Sequence, residues 1–478
     1  MTLNRYINLE NTRWLLLLVF VIGYLITYQT PVFAAGDYLF YSLLALLSCM
    51  ILLIQLKSYD VNYSAIWLSL LVFIGVYFIR FYWITLDPLP VKIMLPTPVY
   101  NTMILGSSLL DGFRVSVIAF TTFSISIAAL LYINDRWSLS SDNESLAMNR
   151  KLYWFITKCL FYLIPLLMIV LAYVSHKYHI GEMGADSGEP LPFRLKGIIF
   201  YARFIMIPLL IMLLIYLAEQ CDHIIISRIG IVFLMLHGVI DMLLRGSRSS
   251  LLLSVLLLVF LVMSGGLKLF RSEKTLAFLV LIAGLFMVPI MTEYRMHRVV
   301  DNLPVIDAIL TSMSIVGNEW WTTLLRGIEF VFFRIPGIEA VSAMISLDAE
   351  PLGMQTFQII RAEQGIAGYL THDVYGITRD ANTLSAPSFV GWFYLVNGAV
   401  AVATGALALA LAVIFGWWFL GKKYFVASPI ARTFFLWMLF TALTEGTLDS
   451  MLFMFVVGVL VLASIEAFIR IGTRLERT

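Results

Sequence analysis

Runs of about twenty apolar residues recur along the whole chain, and each run is long enough to cross the hydrocarbon core of a bilayer as a helix. A helix satisfies its own backbone hydrogen bonds, for which the bilayer core offers no partners. Only 13% of the 478 residues are charged, which is roughly half the share found in soluble domains. The sequence therefore predicts an all-α polytopic membrane protein.

About twelve spanning helices are predicted from these runs. Their approximate bounds are 14–34, 37–56, 65–86, 112–133, 153–174, 198–218, 223–244, 249–265, 275–292, 388–416, 429–446 and 450–470. Residues 1–292 would form a bundle of nine spans, 293–386 a long outer loop, and 387–478 the last three spans. The loop is too apolar to be disordered. We therefore expect short amphipathic or re-entrant helices in it, at 305–316 and 324–346.

Lysine and arginine residues fall in six clusters on one side of this arrangement, which the positive-inside rule identifies as the cytoplasm. These clusters are Arg5 with Arg13, Lys57, Arg136 with Arg150 and Lys151, Lys268 with Arg271 and Lys274, Lys422 with Lys423, and Arg470 with Arg474 and Arg477. Both termini are therefore predicted to be cytoplasmic, and the loop at 293–386 is predicted to lie on the outer face.

The outer loop contains several arginines and no lysine. These arginines are Arg295, Arg298, Arg326, Arg334, Arg361 and Arg379. Arg245 and Arg248 lie on the same side, at a short turn between two spans. Because a guanidinium group offers a planar fork of donors that matches phosphate oxygens, this pattern predicts a bound anion such as a lipid-linked phosphate. The alternative is pairing with lipid headgroups or with nearby glutamates, namely Glu293, Glu319, Glu329 and Glu339.

Three ionisable residues follow one another at intervals of four in the span before that turn. His237, Asp241 and Arg245 therefore share one face of a helix. Ionisable side chains within a span usually face the protein interior or a polar cavity. We expect Asp241 to orient Arg245 or His237 toward a polar pocket, and the alternative is an ion pair that only holds the bundle together.

A second group of candidates lies in the outer loop. Arg326 and Glu329 are neighbours on a helix, and Arg334 follows about two turns later on roughly the same face. Pro336-Gly337 is predicted to end that helix. His297 is a candidate base, because an imidazole titrates near neutral pH.

No nucleotide or metal motif is apparent in the chain. The sequence contains no Walker loop, dinucleotide fingerprint, zincin motif or acidic metal cluster. The three cysteines lie in or beside predicted spans and lack the spacing of a zinc site. We therefore expect no cofactor, no metal and no nucleic-acid partner.

These features together resemble the Wzy-type O-antigen and oligosaccharide repeat-unit polymerases of bacterial inner membranes. The resemblance rests on the even bundle of about twelve spans, the Gly246-Ser247-Arg248 turn and the arginine-rich outer loop. It also rests on the return to the membrane at 386–394 with the following Asn397-Gly398, and on the ten residues that separate Arg326 from Gly337. Trp392 departs from the pattern, since many relatives carry glutamate there.

The resemblance implies a GT-C-like, metal-independent glycosyltransferase that acts at the periplasmic face. It would transfer a growing glycan from undecaprenyl diphosphate onto a new lipid-linked repeat unit. The expected partners are the lipid-linked donor and acceptor, membrane lipid, a chain-length regulator protein and a flippase. The catalytic candidates are Arg326, Arg334, Glu329 and His297, the diphosphate-binding candidates are Arg245, Arg248, Arg295 and Arg298, and the supporting residues are His237 and Asp241. Arginines suit this reaction because they neutralise the charge of a leaving diphosphate.

Three other functions fit parts of the same pattern. An O-antigen ligase uses the same donor but delivers the glycan to a lipid A core sugar. A lipid-linked oligosaccharide flippase would need cationic residues in a central cavity reached from both sides and no long outer loop. A membrane acyltransferase would use a His-Asp dyad, for which His237 and Asp241 are the candidates.

Overall fold

The structure is a computed structural model, and the residues that it describes are almost all helical, with no strand among them. The described residues are 9–28, 36–56, 61–87, 108–137, 150–181, 195–245, 249–268, 290, 293–294, 297, 303, 305–318, 321, 325, 337–347, 349, 351–360, 365–376, 386–421, 427–446 and 448–475.

Fifteen helices are labelled here in chain order within those residues. The first eight are α1 (Leu9–Tyr28), α2 (Gly36–Gln55), α3 (Val61–Leu86), α4 (Ser108–Trp137), α5 (Arg150–Lys177), α6 (Leu195–Gln220), α7 (Ile224–Arg245) and α8 (Ser249–Met263). The others are α9 (Val305–Asn318), α10 (Ile338–Ser346), α11 (Thr356–Ile360), α12 (Gly365–Gly368, continued by Tyr369–Val374), α13 (Ser388–Leu420), α14 (Ser428–Glu445) and α15 (Leu448–Leu475).

Eight of these helices, α2–α7, α13 and α15, are long and apolar enough to cross a membrane. The prediction of a polytopic α-helical membrane protein is therefore confirmed. Eleven of the predicted spans coincide with described helices, namely α1–α8 and α13–α15. The remaining predicted span, at 275–292, lies outside the described residues except for position 290, so the count of twelve spans stays a prediction.

Four of the described helices, α9–α12, lie in the predicted outer loop. The stretch at 305–316 forms α9, as predicted for that part of the loop. The stretch at 324–346 is interrupted, because Gly337 has the non-helical torsions φ −142° and ψ −135° and serves as the N-cap of α10. The helix predicted to end at Pro336-Gly337 lies outside the described residues except for Leu325, so that end stays a prediction, and α10 begins directly after Gly337.

Helix α13 is broken within the span at the Asn397-Gly398 pair. Asn397 has φ −161° and ψ 45°, and Gly398 has φ 59° and ψ −150°. The torsions of Gly398 lie in a region that is essentially restricted to glycine. The helix therefore consists of a short first part that begins at Ser388 and a longer second part.

The chain forms two compact units. The first unit comprises 1–141, 332–419 and 438–452, and the second comprises 142–331, 420–437 and 453–478. The predicted division into bundle, outer loop and last spans follows membrane topology instead, and it stays a prediction.

The first unit is centred on α3, which is almost entirely buried. Aromatic rings pack it against α4, with ring centroids 4.3 Å apart for Phe81 and Phe113 and 5.1 Å apart for Phe78 and Phe120. Helix α10 approaches α4 closely because Gly112 has no side chain: a Cβ there would lie 2.2 Å from Ser342 Oγ. Small residues allow such close packing where lipid supplies no hydrophobic driving force.

The second unit packs α6, α7 and α8 side by side. Gly230 of α7 lies against Ile215 of α6, where a Cβ would be 2.7 Å from the Ile215 side chain. Gly238 of α7 lies against Ser254 of α8, where a Cβ would be 2.4 Å from the serine oxygen. These two glycines bring the polar face of α7 close to both neighbouring helices.

Candidate functional site

A buried carboxylate, that of Asp241, organises a polar cluster in the second unit. Arg203 Nε lies 2.8 Å from one carboxylate oxygen and Arg245 Nη1 lies 3.4 Å from the other. Ser250 Oγ donates a hydrogen bond of 2.6 Å to the same oxygen as Arg245. We call Arg203, His237, Asp241, Arg245 and Ser250 the Asp241 site.

Local structure explains how these side chains meet. Arg203 lies in a π-helical stretch of α6, Ala202–Met206, and such stretches often occur at functional sites. Arg245 is held over the faces of Phe200 and Phe204, at 5.2 and 5.1 Å from the ring centroids. Cation–π contacts of this kind are stronger when water is excluded.

The Asp241 site carries an excess of positive charge. Its two guanidinium groups face one carboxylate, and the side chains of Arg203 and Asp241 are only 3% and 4% exposed. Arg203 Nη2 also donates to the Ile180 carbonyl, at 3.4 Å. An ionised group is costly to bury without a partner of opposite charge. The arrangement therefore favours an additional anion near Arg203 and Arg245.

His237 lies on the same buried face of α7, and its side chain hydrogen-bonds to the backbone of Arg203. A small cavity beside it has a volume of about 10 Å³, enough for roughly one water molecule. Its polar lining comes from His237, Asp241, Ser250 and Ser254. This cavity is far smaller than a sugar, and the predicted polar pocket for a substrate stays a prediction.

The beginning of the outer loop reaches the same end of α7. Tyr294 is buried against Met242 of α7, Leu251 of α8 and Ala308 of α9. His297, one of the predicted catalytic residues, is half-buried three positions later. Its backbone carbonyl accepts a hydrogen bond of 3.1 Å from the Leu303 amide. The structure thus brings the His297 segment to the helix that carries Asp241.

Four of the predicted site residues, His237, Asp241, Arg245 and His297, are described. The first three are brought together as their spacing predicted. The other six lie outside the described residues, namely Arg248, Arg295, Arg298, Arg326, Glu329 and Arg334. Their roles stay predictions.

A second buried ion pair lies in the first unit. Arg80 Nη1 of α3 donates a hydrogen bond of 2.7 Å to Glu339 Oε1 at the start of α10, and the two side chains are 0% and 7% exposed. The same oxygen accepts the Gly337 amide, at 3.0 Å. Burial raises the pKa of Glu339, and the nearby Arg80 guanidinium opposes that rise. We call Arg80, Gly337 and Glu339 the Arg80 site.

Tyr77 lies one turn before Arg80 on α3 and holds the start of α13. Its hydroxyl accepts the Val390 amide at 3.3 Å and donates to the Leu443 carbonyl at 3.5 Å. Val390 belongs to 386–394, here called the Pro-Ser segment after Pro387-Ser388, where the sequence predicts a return to the membrane. One helix therefore contacts two of the segments on which the resemblance rests, namely Gly337 through Arg80 and Glu339, and the Pro-Ser segment through Tyr77.

Sequence reasoning singled out neither Arg203 nor Arg80. Each is a lone arginine within an apolar run, and an ionisable residue inside a span is itself a signal of function. Glu339 was considered only as one of several possible partners for the loop arginines. A search for charges inside the predicted spans would have found both arginines.

No protein-family model, curated protein or solved structure matches this chain. Among the described residues, no group of three or more histidine, cysteine, aspartate or glutamate side chains is arranged to hold a metal ion.

Proposed function

We propose that this protein is a metal-independent membrane glycosyltransferase that polymerises undecaprenyl-diphosphate-linked repeat units into O-antigen or a similar surface polysaccharide. The observation that carries the proposal is the Asp241 site, in which two arginines share one buried carboxylate. This site lies at the end of α7 that precedes Gly246-Ser247-Arg248 in the sequence. Those three residues are among the features on which the resemblance to the Wzy-type polymerases rests.

The charge of the site suits a diphosphate. Asp241 holds the two guanidinium groups in place but balances only one of them. A diphosphate is anionic and offers oxygen atoms that an arginine can contact two at a time. Charged contacts are stronger where water is excluded. Arg203 and Arg245 would therefore stabilise the leaving diphosphate, together with arginines of the outer loop.

The reaction joins two lipid-linked glycans. The hydroxyl oxygen of the acceptor forms a bond with the anomeric carbon of the donor, and the bond from that carbon to the diphosphate oxygen breaks. Undecaprenyl diphosphate leaves with the electron pair. The hydroxyl proton passes to a weak base, for which Glu329 and His297 are the candidates, since a good leaving group demands little of the base.

The proposal includes a membrane arrangement. We propose a GT-C-like bundle of twelve spans in the bacterial inner membrane, with both termini in the cytoplasm and the Asp241 site facing the periplasm. The eight helices that could cross a membrane and the six basic clusters support this arrangement. The expected partners are the lipid-linked donor and acceptor, a chain-length regulator and a flippase.

Cysteine labelling tests the orientation. A single cysteine at position 350, in a chain whose three native cysteines are replaced, should react with an impermeant maleimide in whole cells with a permeabilised outer membrane. A cysteine at position 422 should react only in inverted vesicles. The reverse pattern would refute the proposed orientation.

A donor-only assay tests the activity. The purified protein in lipid nanodiscs is given undecaprenyl-diphosphate-linked repeat units extracted from a strain that lacks this gene. We expect a ladder of lipid-linked oligomers, and we expect Arg326→Lys and Arg334→Lys to slow its formation by about 100-fold, because lysine keeps the charge but loses the fork of donors.

The same assay separates the other functions. A ligase would give a product only after lipid A core is added. A flippase would give no ladder, and deleting its gene would leave lipid-linked units on the cytoplasmic face. Either result would overturn the polymerase proposal. So would full-length polymer from the two lysine variants, since the arginine fork would then be unnecessary.

A further inference from the structure

Gly337 is the glycine that follows Arg326 by eleven positions and Arg334 by three. Its φ of −142° is ordinary extended backbone, so its torsions do not require glycine. The close packing around this position does require glycine. A Cβ at this position would lie 2.5 Å from the Val76 carbonyl oxygen and 2.7 Å from Arg80 Nη1. Both atoms belong to the buried helix α3, so the backbone at Gly337 lies directly against that helix.

The polar contacts at Gly337 converge on one oxygen of the Glu339 carboxylate. Its amide donates to Glu339 Oε1, and the same oxygen accepts from Arg80. A glutamate in the first turn of a helix that accepts an amide at the helix start is a known capping arrangement, and it suits the helix dipole. Arg80 in turn fixes the carboxylate from α3. The Arg80 site thus joins the start of α10 to a residue 259 positions away in the chain.

We propose that the Arg80 site is a positioning site for the catalytic arginine segment, and this inference rests on the proposed function. Arg80 orients Glu339, Glu339 holds the Gly337 amide, and Gly337 fixes where the segment with Arg326 and Arg334 ends. Arg80, Gly337 and Glu339 are positioning residues and do not touch the substrate. The spacing from Arg326 to Gly337 then has a physical meaning, because it joins the reacting arginines to a fixed point on α3.

Two double variants of the Arg80 site can separate a positioning role from a contribution to the stability of the fold. Replacing both members of a buried ion pair by apolar residues is often neutral for stability, whereas removing one member is not. The double variant Arg80→Met with Glu339→Leu therefore removes the pair and the acceptor for Gly337 without leaving a buried charge. The double variant Arg80→Met with Glu339→Gln removes the same charges but keeps an amide oxygen that can accept from Gly337.

The test compares these two double variants with the wild-type protein in nanodiscs. With Glu339→Leu we expect kcat to fall at least 10-fold, the KM for the lipid-linked donor to change less than threefold, and the melting temperature to stay within a few degrees. With Glu339→Gln, which keeps an acceptor for the Gly337 amide but loses its orientation by Arg80, we expect a smaller fall in kcat, of about threefold. The matched control is Arg228→Met with Glu219→Leu, which removes an ion pair of α6 and α7 outside both sites and should leave kcat unchanged.

Hydrogen–deuterium exchange gives a readout that does not depend on activity. In the wild-type protein the peptide that covers Gly337 should be protected. It should exchange at least 10-fold faster in the Glu339→Leu double variant and about threefold faster in the Glu339→Gln double variant, which keeps an acceptor but lacks Arg80. Gly337→Ala should also speed exchange there, because its Cβ displaces the backbone from α3. Gly337→Ala provides the same exchange test if the Glu339→Leu double variant does not fold.

Two results would overturn the positioning site. One is an unchanged exchange rate and unchanged kcat in the Leu double variant. The other is an equal loss of kcat in both double variants that follows their melting temperatures, which would mean that the pair only stabilises the fold. If the wild-type protein makes no polymer at all, the proposed function fails, and the exchange experiment still decides whether Glu339 holds Gly337.

Discussion

The two buried arginine sites differ first in their charge. In the Arg80 site one guanidinium meets one carboxylate, and the pair is neutral. In the Asp241 site two guanidinium groups meet one carboxylate. A neutral pair needs no further counter-charge, whereas an anion would balance the charge of a cationic cluster. The comparison therefore supports the proposals that the Asp241 site binds an anion and that the Arg80 site has a positioning role.

The two sites also differ in what they connect. The Asp241 site is built from α6, α7 and α8, which follow one another in the chain with only three residues between successive helices. The Arg80 site connects residues 259 positions apart. Damage to the first should disturb a local group of helices and the bound anion. Damage to the second should mainly change where a distant segment is held.

The largest expected effect is the loss of the central carboxylate. Asp241→Leu leaves the buried Arg203 and the partly buried Arg245 as two like charges, whereas Glu339→Leu leaves only Arg80 unbalanced. Removing one partner of a buried pair costs about 3–5 kcal/mol, and we expect Asp241→Leu at the upper end of this range. The free energy of unfolding in mixed detergent micelles checks this. A smaller loss for Asp241→Leu than for Glu339→Leu would contradict the assigned charges.

The next effect is on catalysis. Arg203→Lys and Arg245→Lys keep the charge of the Asp241 site but lose the fork of donors, so the rate of polymer formation should fall by about 100-fold, or close to 3 kcal/mol. Arg228→Lys, on the same helix as Arg245, is the matched control and should change the rate less than twofold. If the Arg203 and Arg245 variants polymerise normally, the Asp241 site does not bind the diphosphate.

The fold was predictable where apolar length alone decides it. Helix α2 spans Gly36–Gln55, against 37–56 predicted, because a run of that length has few other ways to bury its backbone in lipid. Helix α1 is described from Leu9 to Tyr28, and the last part of its predicted span, 29–34, lies outside the described residues.

The candidate site was predictable only where its partners are close in sequence. The contact between Asp241 and Arg245 follows from helical spacing, and the structure has it. Arg203 comes from another helix, and its contact depends on the packing of α6 against α7. The π-helical stretches that hold Arg203 and precede Arg80 have no signature in residue pattern that we could recognise. The pairing of Arg80 with Glu339, 259 positions away, could not be predicted from a single sequence.

A smaller effect is expected from the hydroxyl that completes the Asp241 site. Ser250→Ala removes the donor 2.6 Å from the Asp241 carboxylate, and hydrogen bonds to charged groups contribute about 1.5–3 kcal/mol. Ser254→Ala, one turn later on α8, removes only a hydrogen bond of 3.3 Å to the Ser250 carbonyl and should cost less than about 1 kcal/mol. Unfolding free energies of the two variants check this. Equal losses would mean that Asp241 is already satisfied by its arginines.

The smallest effect is expected beside the Arg80 site. Tyr77→Phe removes the hydroxyl that accepts the Val390 amide and donates to the Leu443 carbonyl, at 3.3 and 3.5 Å. Both distances are long, so the loss should be about 1 kcal/mol in the free energy of unfolding. Tyr162→Phe is the control, because Tyr162 is 74% exposed and its change should stay within about 0.5 kcal/mol.

Combining Tyr77→Phe with the Arg80→Met and Glu339→Leu variant then tests whether α3 holds its two segments independently. Tyr77 contacts the start of α13, whereas Arg80 contacts the start of α10, so the losses in unfolding free energy should add to within about 0.5 kcal/mol. Coupling larger than about 1 kcal/mol would show that the two contacts form one network. In that case the separate positioning role of Arg80 would have to be extended to Tyr77 and the Pro-Ser segment.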